Sequence, residues 1–126
     1  MKHKDMAAKR VLLVEDSLGV REVFAMCLQD AGYEVFQAED GKEALLLAQT
    51  LRPHAVITDL QMPHMGGAEL ARTMKRTENL SEIPIGLITA TPRVNISLFA
   101  RVLIKPCSLE ELLELANFLV SKRPLR

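Results

Sequence analysis

An open α/β fold, with five parallel strands and helices on both faces, is what this sequence predicts, and three observations carry that expectation. Short continuous apolar runs recur at residues 11–14, 55–58 and 85–88, each the length of a strand buried on both faces. Between them lie stretches whose apolar residues follow helical spacing, two of them introduced by capping residues. Strand and helix alternate along the chain, and right-handed crossovers then leave a parallel sheet between two helix layers.

The first run, Val11-Leu12-Leu13-Val14, ends at Glu15-Asp16, as a buried strand does where it emerges at a polar edge. Val20, Val23, Phe24, Cys27, Leu28 and Ala31 then follow i, i+3, i+4, i+7, i+8, i+11, which predicts a first helix with Cys27 in its buried stripe, ended by Gly32. Residues 33–38 are β-prone but carry Glu34 and Gln37, which suits a strand near a sheet edge. Asp40 and Glu43 have capping-box spacing and open a second helix through Ala44, Leu45, Leu47, Ala48 and Leu51.

The third strand ends in a carboxylate, Asp59, as the first does. Met62-Pro63 and Gly66-Gly67 punctuate the next loop, before a third helix containing Leu70 and Met74. Residues 85–88 form the fourth strand, ending at Thr89. Thr91-Pro92 offers an N-cap and a first-turn proline, yet Val94-Asn95-Ile96-Ser97 is poor in helix formers, so the fourth helix should be short or irregular. Val102-Leu103-Ile104 makes the fifth strand. Ser108 and Glu111 form another capping box, ahead of a closing helix with Leu112, Leu113, Ala116, Leu119 and Val120.

With 126 residues, the chain holds one domain with a real core, read here as residues 9–121 between an N-terminal tail, 1–8, and a C-terminal tail, 122–126. Sixteen basic and sixteen acidic side chains cancel, so no overall field draws the protein to nucleic acid or an anionic membrane. No apolar run approaches a membrane span, and no h-region follows Met1, so neither membrane insertion nor secretion is expected. Cys27 and Cys107 lack CxxC spacing, which argues against a disulfide framework or zinc site and fits a cytoplasmic setting. His3, His54 and His64 show no ligand spacing and read as loop or surface residues, with His64 close enough to Asp59 in sequence to tune it. Cys107 reads as packing.

In open α/β sheets, ligands sit beyond the carboxyl ends of the strands. That rule gathers Glu15, Asp16, Asp59, Thr89 and Lys105 in one small cleft. Three carboxylates at close range require a counter-charge, and their oxygens suit a hard divalent cation such as Mg2+, which retains waters and leaves room for a phosphate oxygen. Such a site fits phosphoryl transfer, with the metal and Lys105 flanking the transferring group and Thr89 donating to a third oxygen. Each residue alone has an ordinary reading: Asp16 or Ser17 as a helix cap, Asp59 as a loop acid, Thr89 as a strand-end hydroxyl, Lys105-Pro106 as a terminated strand. Their conjunction at four strand ends favours chemistry.

These residues resemble those of response-regulator receiver domains, the CheY-like superfamily. The likeness spans residues 10 to 121 and rests on Glu15-Asp16, on Asp59-Leu60-Gln61-Met62-Pro63-His64-Met65-Gly66-Gly67, on Thr89-Ala90 and on Lys105-Pro106. It implies a flavodoxin-like strand order, 2-1-3-4-5, and an aspartyl phosphate at Asp59. It also implies Mg2+ held by Asp16, Asp59 and the backbone carbonyl of Gln61, with Glu15 assisting through water, and a phosphoryl group gripped by Thr89 and Lys105. The donor would be a histidine kinase or histidine phosphotransfer protein, and the output a contact with another protein. On this reading the chain is a phospho-acceptor that assists its own phosphorylation and dephosphorylation, not an enzyme with a separate substrate. An excised receiver of a larger hybrid kinase or regulator and a phosphate sink are alternatives. An aspartyl-phosphate phosphatase fits less well, because Asp59-Leu60-Gln61 lacks a second acid two residues on.

The resemblance has two departures. Val102, Leu103 and Ile104 occupy the stretch where receivers usually carry an aromatic switch residue. The segment from Thr89 to Lys105 is short by about one to two helical turns, and the loss falls on the fourth helix. Asp59 is therefore expected to accept phosphate while residues 90–106 rearrange differently from the usual receiver, or barely at all.

Overall fold

The computed structural model describes residues 8–91 and 93–122. Strands β1 (Arg10–Val14), β2 (Glu34–Ala38), β3 (Ala55–Asp59), β4 (Ile85–Thr89) and β5 (Arg101–Ile104) alternate with helices α1 (Leu18–Asp30), α2 (Gly41–Leu51), α3 (Gly67–Lys75) and α4 (Leu109–Lys122). All neighbouring strands pair in parallel, in the order β2-β1-β3-β4-β5. The expected fold class and strand order are both present.

Alternation along the inner strands builds two cores. Leu12, Val14, Val56 and Leu87 point into one, against Ala44 and Ala48 of α2 and Leu70 and Met74 of α3. Val11, Leu13, Ile57 and Ile88 point into the other, against Ala25 and Leu28 of α1 and Leu112, Leu115 and Leu119 of α4. Strands buried on both faces need apolar residues at every position, which is why these runs are continuous rather than alternating.

The helix signals hold in part. Ser108 and Glu111 close a full capping box: Ser108 Oγ accepts from Glu111 N at 3.0 Å, and Glu111 Oε1 accepts from Ser108 N at 2.8 Å. Asp40 caps α2 through Glu43 N at 2.9 Å, but Glu43 reaches back to Glu39 N instead of to the cap itself. Helix α4 runs on to Lys122, one residue beyond the predicted domain end.

The first helix keeps Phe24, Cys27 and Leu28 of its predicted stripe against the core but differs from its prediction in rotation. Ala25 and Leu28 are its buried residues, whereas Val20 and Val23 are 38% and 52% exposed and Ala31 lies outside the helix at the surface. A period of 3.6 fits several stripes on a helix this rich in apolar residues, and close approach to the sheet selects the one with small Ala25 at its centre. The fourth helix is short and irregular as expected, a single 3-10 turn at Ile96–Leu98. Phe99, with Val94, Leu98 and Val102, covers that part of the core in its place. Residues 1–7 with His3, Pro92 of the Thr91-Pro92 signal, and residues 123–126 lie outside the described residues.

Candidate functional site

Strand register brings the carboxyl ends together. Val14 pairs with Thr58, Asp59 with Ile88 and Thr89 with Ile104, so each chain leaves the sheet at the same edge. Oxygens of Glu15, Asp16 and Asp59 lie within 4.8 Å of one another. Lys105 Nζ stands 2.9 Å from Asp59 Oδ2 and 3.7 Å from Glu15 Oε1. The other oxygen of the same carboxylate, Asp59 Oδ1, accepts from Leu60 N at 2.7 Å. Thr89 Oγ1 accepts from Thr91 N at 3.1 Å, which fixes the hydroxyl rotamer beside the cleft. Asp59, Gln61, Thr89, Ala90, Thr91 and Lys105 line a cavity of about 220 Å³. Every residue the sequence assigned to the site is therefore at this edge. Three carboxylates offering only oxygen donors fit a hard divalent cation.

The electrostatics is unequal among the acids. Glu15 is only 5% exposed. Burial pushes its carboxyl above the ordinary range, and the charge of Asp59 adds to the shift against the lowering effects of the Ser17 N–H and Lys105. Burial alone would lower the Lys105 ammonium, but the hydrogen bond and charge of Asp59, with Glu15 and Asp16 beyond, hold it above its usual value. Both folded values are raised, so each group stabilises the fold most when protonated. For Lys105 that stabilisation persists through neutral pH and is lost as pH rises through its raised value in alkaline solution. For Glu15 it is complete below the ordinary glutamic-acid range and is lost as pH rises through the raised value. Above that raised value, ionised Glu15 is thus a load on the fold. Glu15→Gln is expected to raise the melting temperature at about pH 7 and to leave it nearly unchanged at about pH 4. A drop at neutral pH in thermal melts would show that its contacts with Lys105 and Ser17 outweigh burial.

Two glycines set the loop that follows Asp59. A Cβ on Gly67 would lie 2.2 Å from the Asp59 carbonyl oxygen, and Gly67 N donates to Leu60 O at 2.8 Å. The N-terminus of α3 is thus packed directly on the end of β3. A Cβ on Gly41 would meet Met65 O at 2.7 Å, where Gly41 N donates at 2.8 Å, so the first residue of α2 holds the far end of the same loop. His64 occupies a left-handed conformation there, φ 68°, and does not line the cleft.

The ordinary readings fare differently. Ser17, not Asp16, is the N-cap of α1, and its side chain makes no capping bond, so capping does not account for Asp16. His54 Nδ1 accepts from Arg10 N at 2.9 Å at the foot of β3, away from the site. Cys107 is partly buried against the α1–α4 core, as packing requires. Two features escaped the sequence. Arg21 reaches from α1 to the Glu15 carbonyl, and the only available signal was a charge one turn beyond Ser17, on the helix face that turns inward. An apolar groove of about 510 Å³, lined by Val20, Phe24, Ala90, Lys105, Pro106 and Cys107, shares Ala90 and Lys105 with the cleft. Val20 could have pointed to it only if the rotation of α1 had been known.

Comparisons with known proteins agree with this geometry. A family model described as the response regulator receiver domain matches residues 11–117. The phosphate regulon transcriptional regulatory protein PhoB of Pseudomonas aeruginosa is 38% identical over 85 residues, covering 68% of this chain and 37% of that protein. The high-resolution structure of the chemotaxis response regulator CheY4 of Vibrio cholerae superposes with a TM-score of 0.82 at 32% identity, covering 90% of this chain and 99% of that one. The receiver domain of the sensor histidine kinase PA1611 of Pseudomonas aeruginosa, solved with a magnesium ion coordinated in its active-site cleft, gives a TM-score of 0.83 at 26% identity, covering 92% and 99% of the two chains. The chain spans less than half the length of the curated relatives it matches. Among the described residues, no helix is long and apolar enough to cross a membrane.

Proposed function

Because this chain belongs to the family of response regulator receiver domains of two-component signalling, we propose that Asp59 accepts a phosphoryl group from a histidine kinase or histidine phosphotransfer protein and that the chain signals by contact with another protein. The observation that carries the proposal is the position of Lys105 Nζ, 2.9 Å from Asp59 Oδ2, beside an acid trio at the switch point of the sheet. Both oxygens of Asp59 accept a hydrogen bond, Oδ1 from Leu60 N and Oδ2 from Lys105 Nζ, and on this reading one of them attacks phosphorus with Lys105 alongside. The phosphorus–nitrogen bond of the donor breaks as the new phosphorus–oxygen bond forms, and the leaving imidazole takes up a proton. Lys105 then passes from the carboxylate to the phosphoryl oxygens, and the Thr89 hydroxyl donates to another of them.

Asp16, Asp59 and the Gln61 carbonyl are the residues that would hold Mg2+, with Glu15 assisting through water. When bound, the ion offsets negative charge on the transferring group. The apolar groove beside the cleft offers an adjoining surface to a protein donor. No separate substrate is turned over on this reading, so the chain is a phospho-acceptor rather than an enzyme, at work in the cytoplasm where such donors act. A receiver segment of a larger hybrid kinase or regulator fits the same site, and a sensor kinase/phosphatase, CqsS of Vibrio cholerae, is among the matches, 36% identical over 83 residues.

Incubation with a small phosphodonor and Mg2+, followed by intact mass and peptide mapping, tests the proposal. One phosphoryl group on the peptide containing Asp59 is expected; no uptake, or uptake elsewhere, rejects it. The lifetime of that group has its own determinants. Gln61 and Thr91 flank the cleft where water must approach. Truncating both to alanine is expected to speed loss of radiolabelled phosphate several-fold, equivalent to about 1 kcal/mol in the barrier. An unchanged rate removes them from that role.

A further inference from the structure

We propose that Arg21 is a positioning residue for the metal-binding acids, fixing the backbone from which Asp16 projects. The inference rests on the receiver reading of the cleft and adds a residue outside it.

Asp16 is the exposed member of the acid trio, so the packing that holds Glu15 does not hold it. Its carboxylate is aimed by the peptide units on either side. Glu15 N donates to Ala38 O at 3.0 Å, and Ser17 N donates to Glu15 Oε2 at 3.0 Å. The Glu15 carbonyl, which belongs to the Glu15–Asp16 peptide unit, is held by Arg21, whose guanidinium donates to it at 2.6 Å. The same side chain donates through Nε to Gln37 Oε1 at 3.2 Å, so α1 is tied through one planar group to the end of β1 and to β2.

Three properties suit arginine to this position. A charged donor makes a stronger bond to a carbonyl than a neutral one does. Its planar fork engages two acceptors in a fixed relation, which a lysine ammonium does not. Its long stem lets a helix residue carry a charged head to the polar edge. With the guanidinium removed, the Glu15 carbonyl loses its partner beside a buried side chain, and the peptide unit is free to rotate about its long axis. The dihedral angles on both sides of Asp16 are then less constrained, and the direction in which its side chain projects toward the arrangement shared with Asp59 is no longer fixed.

The test is Mg2+ affinity of the whole chain, measured by calorimetric or NMR titration well below the melting temperature, where a loss of fold stability alone leaves affinity unmoved. Arg21→Ala is expected to bind Mg2+ about tenfold more weakly than wild type, equal to about 1.4 kcal/mol. Arg21→Lys, which keeps a donor for the Glu15 carbonyl but gives up the fork, is expected to fall between the two. The Asp16 amide resonance should move in both metal-free variants. Wild-type binding with unchanged affinity in Arg21→Ala overturns the proposal, as does an equal loss in the alanine and lysine variants. If Arg21→Ala does not fold, Arg21→Lys decides: wild-type affinity there overturns the proposal, and a few-fold loss supports it. A wild-type chain that binds no Mg2+ overturns the metal site itself and the role of Arg21 with it, an outcome distinct from the others.

Discussion

Asp59→Asn is expected to take up no phosphoryl group, from a small phosphodonor or from a kinase, under conditions in which the wild type is labelled at one site. The substitution keeps the shape of the side chain, and its oxygen still accepts from Leu60 N, the 2.7 Å bond that orients the group. What it removes is the nucleophile, because an amide lacks the free anionic oxygen that Asp59 presents toward Lys105. The rate should fall below detection, a loss of 100-fold or more corresponding to about 3 kcal/mol or more in the barrier. Far-ultraviolet circular dichroism matching the wild type would assign the loss to chemistry rather than to unfolding. Phosphate still incorporated by the variant would relocate the acceptor.

Gly67→Ala should be the most disruptive single change to the fold near the site. The new methyl would lie 2.2 Å from the Asp59 carbonyl oxygen and 3.2 Å from its carbonyl carbon, and both are backbone atoms that no rotamer change can move aside. Relief requires α3 to back away from β3, breaking the 2.8 Å bond from Gly67 N to Leu60 O and opening the core around Leu70 and Met74. A cost of about 3 kcal/mol or more is expected, at or beyond the upper end for overpacking, with weakened phosphorylation because the peptide of Asp59 itself is displaced. Urea denaturation measures the first effect and mass-detected labelling the second. A variant of wild-type stability would mean that α3 can shift without loss.

What the sequence made legible, and what it hid, follows from the kind of contact involved. Strand runs such as residues 11–14 were readable because burial on both faces demands apolar residues in succession, a one-dimensional pattern. The site was readable because its groups end those runs, and the parallel topology alone brings strand ends together. The rotation of α1 was hidden, since Val20 and Val23 fit a helical stripe with Leu28 as well as Ala25 does, and only the sheet decides between them. Gly66 and Gly67 read as turn punctuation, whereas the actual constraint is contact with Asp59 and Leu60, a distance no spacing rule carries. Arg21 was hidden for the same reason: its partner is a main-chain carbonyl, which every residue possesses. The fourth helix was legible as a deficit of helix formers, but not the covering role of Phe99, since nothing local marks where a shortened connection returns to the core.

Asp59 ends β3 and Glu15 directly follows β1, interior strands with a neighbour on each side. Sites built on loops can open by local fluctuation, at a small fraction of the global unfolding free energy. Parting the strand ends that carry Glu15 and Asp59 means unzipping the central ladder, a larger opening than a loop fluctuation. The charge state of Glu15, whose carboxyl burial pushes upward, is therefore thermodynamically linked to the cooperative unfolding of the entire domain, and a counter-charge that offsets it also slows hydrogen exchange in strands far from the cleft.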